Sequence, residues 1–409
     1  MVKKLFTSES VSCGHPDFVA SSISDAIIDH CFRHDNRSRC GIEVLCTPNR
    51  VTLGGEATTS APFDKDTIEH IVRQTVINIG YVNPEAGFCG CEDPECPHRL
   101  TIDNFIHKQS PDINQGVDNG VSTGAGDQGI MFGFASDETK EFYPLAAQIA
   151  NELMRQYMRI LPENTSILYP DAKSQVTIDY NNNNHIDVIV IAASHKEDVK
   201  YEDLYEVVKN QIIVPALQNV ILKDGSTAES LFDEDTNILV NTTGRFVIHG
   251  PFGDAGVNGR KLAVDSYGGY ARIGGGNSHG KDVSKTDTTL AFYTRYLAKN
   301  LVAAGVASKL EIQLATAIGV AEPVSVAVDT FGTGIIPDEE IAAKLLETQD
   351  MTLDNIIEQL NLYETERIST NTQFTFGVPA GETEDEVLKY HHTWERLDKV
   401  DEFKQIFNL

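Results

Sequence analysis

Three short stretches of this chain place reactive side chains on bare or tightly turned backbone. In Gly274-Gly275-Gly276-Asn277-Ser278-His279-Gly280-Lys281-Asp282, glycine N–H groups and one lysine offer the donors and the charge that a phosphate needs. The spacing from Gly275 to Lys281 is that of a P-loop. Such a loop needs Ser or Thr next, to set a hydroxyl on magnesium, and here Asp282 follows. Residues 245–285 carry six cations, Arg245, Arg260, Lys261, Arg272, Lys281 and Lys285, against the three acids Asp254, Asp265 and Asp282. Six glycines between Gly268 and Gly280 are interleaved with them, which is unusual for a solvated surface loop.

The second stretch is His15-Pro16-Asp17 at the head of an apolar-periodic segment. It reads either as a helix cap or as a histidine beside a metal-binding carboxylate. The third, Thr123–Gly133, holds four glycines and one acid, Asp127, directly before Ile130-Met131-Phe132. A lone carboxylate with little side-chain clutter suits a small neutral or zwitterionic group better than phosphate. A further cluster, Cys89, Cys91, Cys96 and His98, has the ligand types of a tetrahedral zinc site. Its C-x-C-x4-C-x-H spacing is not that of a standard finger, and the competing reading is an exposed Pro-rich insert with incidental cysteines.

The totals constrain these readings. The 409 residues carry a formal net charge of -27, which argues against a general nucleic-acid or membrane-surface role. It also means that an anionic ligand must be met by positive charge concentrated locally. The opening segment lacks the apolar region of a signal peptide, and no run approaches a membrane span. Seven cysteines fit a reduced, cytoplasmic protein.

The elements that must position these residues form a pattern repeated three times: a polar or Gly-rich loop, a helix, two strands and a second helix. The first helix of the first copy, Phe18–Phe32, has Val19, Ile23, Ala26, Ile27 and Cys31 at helical spacing. Strands at 41–46 and 50–57 turn at Pro48-Asn49, and a helix over 64–80 stops at glycine. The second copy has a helix over 143–160, an Asn-rich hairpin over 174–194 and a helix over 201–217. The third has a helix over 285–305, strands at 311–319 and 325–332, and helices over 338–349 and 353–360. The fold class is α+β: three topologically similar sheet-plus-helix domains. Val188–Ser194 is apolar on both faces, so its sheet is expected to be covered on both.

Motifs running from about residue 5 to residue 390 resemble, in order, those of the S-adenosylmethionine synthetase (methionine adenosyltransferase) family. They are GHPD, GGEATTS, KQSPDINQGV, GAGDQGIMFGFA, DAKSQVTIDY, TGRFVIHGPFGDAGVNGRK and VAAGVASKLEIQLATAIGVAEP. The resemblance implies domains over 1–112, 123–245 and 246–393 about a pseudo-threefold axis, with 113–122 as a gating loop. It implies a homodimer, or a dimer of dimers, with active sites between subunits. The implied reaction is attack of methionine sulfur on C5′ of ATP, with the triphosphate released and then hydrolysed to pyrophosphate and phosphate. By motif position it implies His15, Lys173, Arg260, Lys281 and Lys285 as the catalytic set. ATP would also meet Asp171, Arg245, Phe246, Asp254, Lys261, Asn277 and Ile318. Methionine would meet Glu56, Gln109, Asp127, Asp254 and Lys285. Two magnesium ions per site would use Asp17 and Asp287, and potassium would use Glu43 with Glu9 nearby.

The chain departs from the family's pattern at four places. Phe18 replaces a lysine, and Asn277-Ser278-His279 replaces Ala-Phe-Ser. Thr288 replaces an arginine, and Asn241-Thr242-Thr243-Gly244 replaces Asn-Pro-Thr-Gly. Two cations are lost and one titratable histidine is gained, so altered triphosphate hydrolysis or ion dependence is expected. The rival readings are a regulatory paralogue that binds nucleotide or a partner without turnover, and a nucleotide triphosphatase that needs no methionine.

Overall fold

The structure, a computed structural model, describes residues 2–82, 87–108, 127–364, 375–379 and 392–409. In chain order the strands are β1 (Leu5–Val11), β2 (Arg39–Thr47), β3 (Arg50–Thr58), β4 (Thr101–Asn104), β5 (Gly129–Ser136), β6 (Leu168–Asp179), β7 (His185–His195), β8 (Asn237–Val240), β9 (Gly256–Val257), β10 (Lys309–Thr316) and β11 (Ser325–Asp329). The helices used below are α1 (Pro16–His34), α2 (Lys65–Ile79), α3 (Leu145–Ile160), α4 (Tyr201–Val207), α5 (Val214–Asn219), α6 (Thr286–Ala304), α7 (Asp338–Thr348), α8 (Leu353–Gln359) and α9 (Val400–Phe407).

Three sheets result, each built on one hairpin: β4-β3-β2-β9, β1-β6-β7-β8 and β11-β10-β5. In each, the first hairpin strand pairs antiparallel with a strand from elsewhere in the chain, namely β9, β1 or β5. In the first two, the second hairpin strand pairs in parallel with β4 or β8. The added strands are exchanged cyclically. β1 precedes α1 but joins the sheet under α3, β5 precedes α3 but joins the sheet under α6, and β9 precedes α6 but joins the sheet under α1. The expected α+β class with three like units holds, and the three units share their strands.

Local chemistry explains the elements. Pro16 opens α1 at a position where its missing N–H costs nothing. The Asp64 side chain accepts from the Thr67 amide at 3.0 Å to start α2, and Gly80 ends it at φ 112°. Asn49 takes φ 57° in the β2–β3 turn. Along β2, Cys40, Ile42, Val44 and Cys46 point into the core while Glu43 and Leu45 face out. The expected single helix over 201–217 is instead α4, a π-helical turn over Val208–Ile213, and α5. Pro215, which has no N–H to donate, lies in the first turn after that irregularity.

One expectation is met only halfway. Ile189 and Ile191 are fully buried beneath the helices, but Val188, Val190 and Ala192 on the opposite face are half-buried within the chain. The third sheet closes on a buried ion cluster. Glu395 accepts from Arg295 at 3.0 Å and Lys299 at 2.6 Å, and Arg295 also donates to the Phe134 and Phe142 carbonyls at 2.8 Å. Among the described residues no helix is long and apolar enough to cross a membrane.

Candidate active site

The site residues read from the sequence gather into two groups. The first forms where α1 meets β9. His15 caps α1, its Nδ1 accepting from the Asp17 amide at 3.2 Å. The Nε2 atom therefore carries the ring proton in the neutral imidazole. Asp17 accepts at Oδ1 from the Val257 amide, 3.0 Å, and at Oδ2 from Lys261 Nζ, 2.7 Å, with Arg260 3.6 Å away. Burial, reinforced by Lys173 and Lys261, lowers the His15 pKa to about 3, so the ring is neutral at physiological pH. Burial would raise Asp17, but Lys261 and the Val257 amide outweigh it and hold the carboxyl below its ordinary range.

Asp171 stands beside this group. Its Oδ2 accepts from the Gly250 amide at 2.8 Å, while its buried Oδ1 has no hydrogen-bond partner. Burial pushes its pKa up to about 6, against the Gly250 amide and Lys173 and with help from exposed Asp254. Phe246 is fixed by His195, which accepts the Phe246 amide at Nε2, 3.1 Å, and donates its own amide to the Phe246 carbonyl, 3.0 Å.

The second group forms where the glycine-rich loop crosses β2. Lys281 bridges to Gly41, and the Gly280 carbonyl accepts from the Ile42 amide at 2.7 Å. Glu56 lies across Gly41 in the β2–β3 pair, its Oε1 only 3.2 Å from where a side chain at Gly41 would start. Lys281 donates to Asp287 at 2.7 Å, and a Cβ on Gly276 would fall 2.0 Å from the Asp287 carboxyl carbon. That carboxylate is thus pressed against bare backbone. Lys285 lies 3.6 Å from Asp282, which is fully buried and accepts from the Cys40 and Ser284 amides at 2.8 Å. Asp282 breaks the P-loop pattern because it is a structural acceptor. Partial burial raises Glu43 against the pull of Lys281.

β2 carries both groups. Its Gly41 adjoins Lys281 and its Leu45 adjoins Val257. Four extended residues at ~3.4 Å each set these two backbone anchor points roughly 14 Å apart. Several expected residues join neither group. Arg245 pairs with Glu197 on the surface at 2.6 Å, and Ile318 is 63% exposed. Asp127 is exposed and accepts its neighbour's amide, Gln128 N, at 2.8 Å. Glu9 is on β1, in a different sheet from Glu43. Gln109 and the 113–122 loop lie outside the described residues. Asn277 closes the loop on itself, its Oδ1 accepting from His279 N at 2.9 Å. Clefts of about 820 and 540 Å³ elsewhere on the chain touch none of these residues.

His279 is placed differently from the sequence reading. It is buried between Asp25, 2.7 Å from Nδ1, and Asp265, 3.3 Å from Nε2. Burial alone would lower its pKa, but the two carboxylates push it up to about 10. It is a fixed internal cation rather than a group facing phosphate. Phe18, on α1, packs edge-on to His279 at 6.1 Å and shares a small apolar niche with Val11 and Val264. Thr288 is buried and donates to the Ser278 carbonyl at 2.9 Å. Asp25 and Asp265 carried no signal in the sequence, since one is a polar position inside a helix and the other one acid among many.

Family models match the chain in three consecutive pieces: the N-terminal domain of S-adenosylmethionine synthetase over residues 3–111, the central domain over 122–246 and the C-terminal domain over 248–386. The chain belongs to the S-adenosylmethionine synthetase family. It is also similar to the solved structure of an unusual S-adenosylmethionine synthetase from Campylobacter jejuni, at 35% identity and a TM-score of 0.83. That match covers 98% of this chain and 99% of the other. In this chain one of the two groups comprises His15, Asp17, Lys173, Arg260 and Lys261, and the other Glu56, Lys281, Lys285 and Asp287.

Proposed function

We propose that the chain forms S-adenosylmethionine from ATP and L-methionine. The observation that carries this reading is the local charge. In a body of net charge -27, Lys173, Arg260 and Lys261 converge on a neutral His15 and on Asp17. In the reaction a sulfur lone pair attacks C5′, the C5′–O bond breaks, and its electron pair goes to the bridging oxygen of the departing triphosphate. Donors that strengthen as this charge develops lower the barrier. His15 Nε2–H would donate to that oxygen, and the cations would hold the phosphates. The unpartnered Asp171 Oδ1 awaits a hydroxyl or amino donor of the nucleoside. Phe246 and Ile318 offer apolar surface for adenine, and Glu56, Asp127 and Asp254 the carboxylates that methionine's ammonium wants.

The donor chemistry fits magnesium. Asp17 and Asp287 are hard carboxylates, each already facing a lysine that would turn to phosphate, and Gly276 leaves a cradle at Asp287. Magnesium, when bound there, neutralises triphosphate charge, and Glu43 offers an oxygen to potassium. The paralogue reading rests on Phe18 and Thr288, and both are absorbed into packing, Phe18 with Val11 and Val264 and Thr288 on the Ser278 carbonyl. Incubation with ATP, methionine, Mg2+ and K+, followed by product mass analysis, tests the proposal. S-adenosylmethionine with pyrophosphate and phosphate is expected. ADP alone would identify a triphosphatase, and unchanged substrates a paralogue.

We further propose that each site is completed by a second copy of the chain. The roughly 14 Å between the anchor points of the two groups on β2 and the half-covered face of Val188, Val190 and Ala192 support this. The domain limits 1–112, 123–245 and 246–393 belong to the same reading. His15→Ala and Lys281→Ala, each inactive alone, should regain about a quarter of wild-type activity when coexpressed. Random pairing makes half the dimers mixed, and one of the two sites in each is then intact. No recovery would place the whole site within one chain.

A further inference from the structure

The connection between α2 and β4 carries the cysteine cluster, and the structure brings its sulfurs together. The Sγ atoms of Cys89, Cys91 and Cys96 all lie within 4.8 Å of one another, and all three are free thiols. Around one tetrahedral zinc at ~2.3 Å per bond, sulfurs sit roughly 3.8 Å apart, so the cluster needs little further closure. The Cys91 amide also points at Cys89 Sγ, 3.4 Å away, an arrangement that stabilises a thiolate. Cys89 is buried while Cys91 and Cys96 are half-buried, so an ion can reach the cluster from solvent.

The backbone around the sulfurs is braced. Cys89 exchanges hydrogen bonds with its opposite strand through the His98 carbonyl, 3.1 Å, and the Leu100 amide, 3.3 Å. Buried Arg73, on α2, donates to the Cys91 carbonyl at 3.1 Å and the Leu100 carbonyl at 2.8 Å. The four-ligand set read from the sequence is corrected in one respect. His98 turns its Nδ1 to Asn49 Oδ1, 3.2 Å, and packs its ring against Phe252, so it does not join the sulfurs.

We propose that Cys89, Cys91 and Cys96 bind one zinc ion through three thiolates, the fourth position being filled from solvent. The ion ties the α2–β4 connection at the point where the chain enters β4. From there pairing with β3 continues, with Phe105 N on the Leu53 carbonyl at 2.9 Å and His107 N on the Gly55 carbonyl at 3.0 Å, up to the level of Glu56. The site lies apart from the two groups described above and does not depend on the activity proposed for them.

The test is metal analysis of tag-free full-length protein from zinc-supplemented medium, purified without chelator. One zinc per chain is expected. Cys91→Ser and Cys96→Ser should lower the content roughly tenfold or more, and His98→Ala should leave it unchanged. Cobalt exchanged for zinc should give a thiolate-to-metal charge-transfer band. A metal-free wild-type protein that takes up no Zn2+ on titration overturns the proposal, as does a disulfide among the three cysteines or loss of zinc in His98→Ala. The wild-type measurement decides the matter even where a serine variant fails to fold.

Discussion

Replacing His15 by alanine is expected to slow S-adenosylmethionine formation by about 10²–10³-fold, the usual effect of removing one donor to a developing oxyanion. The reason lies in how the helix start prepares the ring. The Asp17 amide holds Nδ1 as the acceptor, which leaves the proton on Nε2. Burial and the surrounding cations lower the pKa to about 3, so the ring is a neutral donor near physiological pH. The rate of the chemical step should therefore show no inflection near the ordinary histidine pKa of about 6.5. Asparagine retains both a cap acceptor and an N–H donor, so His15→Asn should lose much less than alanine. The lost cap destabilises the alanine variant by only about 1 kcal/mol. Single-turnover rates and urea melts on both variants separate the two effects. A rate limb near pH 6.5, or an alanine variant of undiminished rate, would remove His15 from the role proposed for it.

His279→Ser should destabilise the fold by about 3–5 kcal/mol, because it leaves Asp25 and Asp265 buried without their shared cation. Positions 18 and 25 lie two turns apart on one face of α1, with His279 packed against the residue at 18. A lysine at 18, the family's usual residue, would bring its stem along the Val11–Val264 niche and its ammonium toward the two acids. Phe18→Lys in the His279→Ser background should then recover about 2 kcal/mol, read as coupling in a double-mutant cycle. The pH dependence follows in sign. A histidine whose folded pKa of about 10 exceeds its unfolded value of about 6.5 contributes fully below the latter. That contribution is lost as pH rises toward 10, so the wild-type protein should weaken over this range more than His279→Ser does. Equal slopes, or no recovery by lysine, would show that the two departures are unrelated.

The helices and hairpins were legible because their periods are local. Val19, Ile23, Ile27 and Cys31 mark one face of α1, and Cys40, Ile42 and Val44 alternate along β2. The strands added to each hairpin were not. β9 has two residues and no period, and β1 reads Leu-Phe-Thr-Ser-Glu-Ser-Val, whose polar residues hide its pairing with β6. Tertiary partnership, not propensity, makes them strands. The segment around Trp394 carries no clear period, and the two cations that hold Glu395 lie about a hundred positions away. At the site, the His-Pro-Asp turn and the lysine-bearing loop announced their chemistry by residue type. Their distribution over the two ends of β2 needed the fold, as did the conversion of His279 from a candidate contact into an internal clamp.

The cyclic exchange of strands has a consequence for the order in which the molecule is made. β2 waits for β9, more than two hundred positions later, and β1 waits for β6. A nascent chain emerging from the ribosome therefore cannot finish its first sheet until Val257 is out, however complete its first helix and hairpin are. With pairings this distant, chain closure must precede their reward, and the three units reach their final form together, late in synthesis.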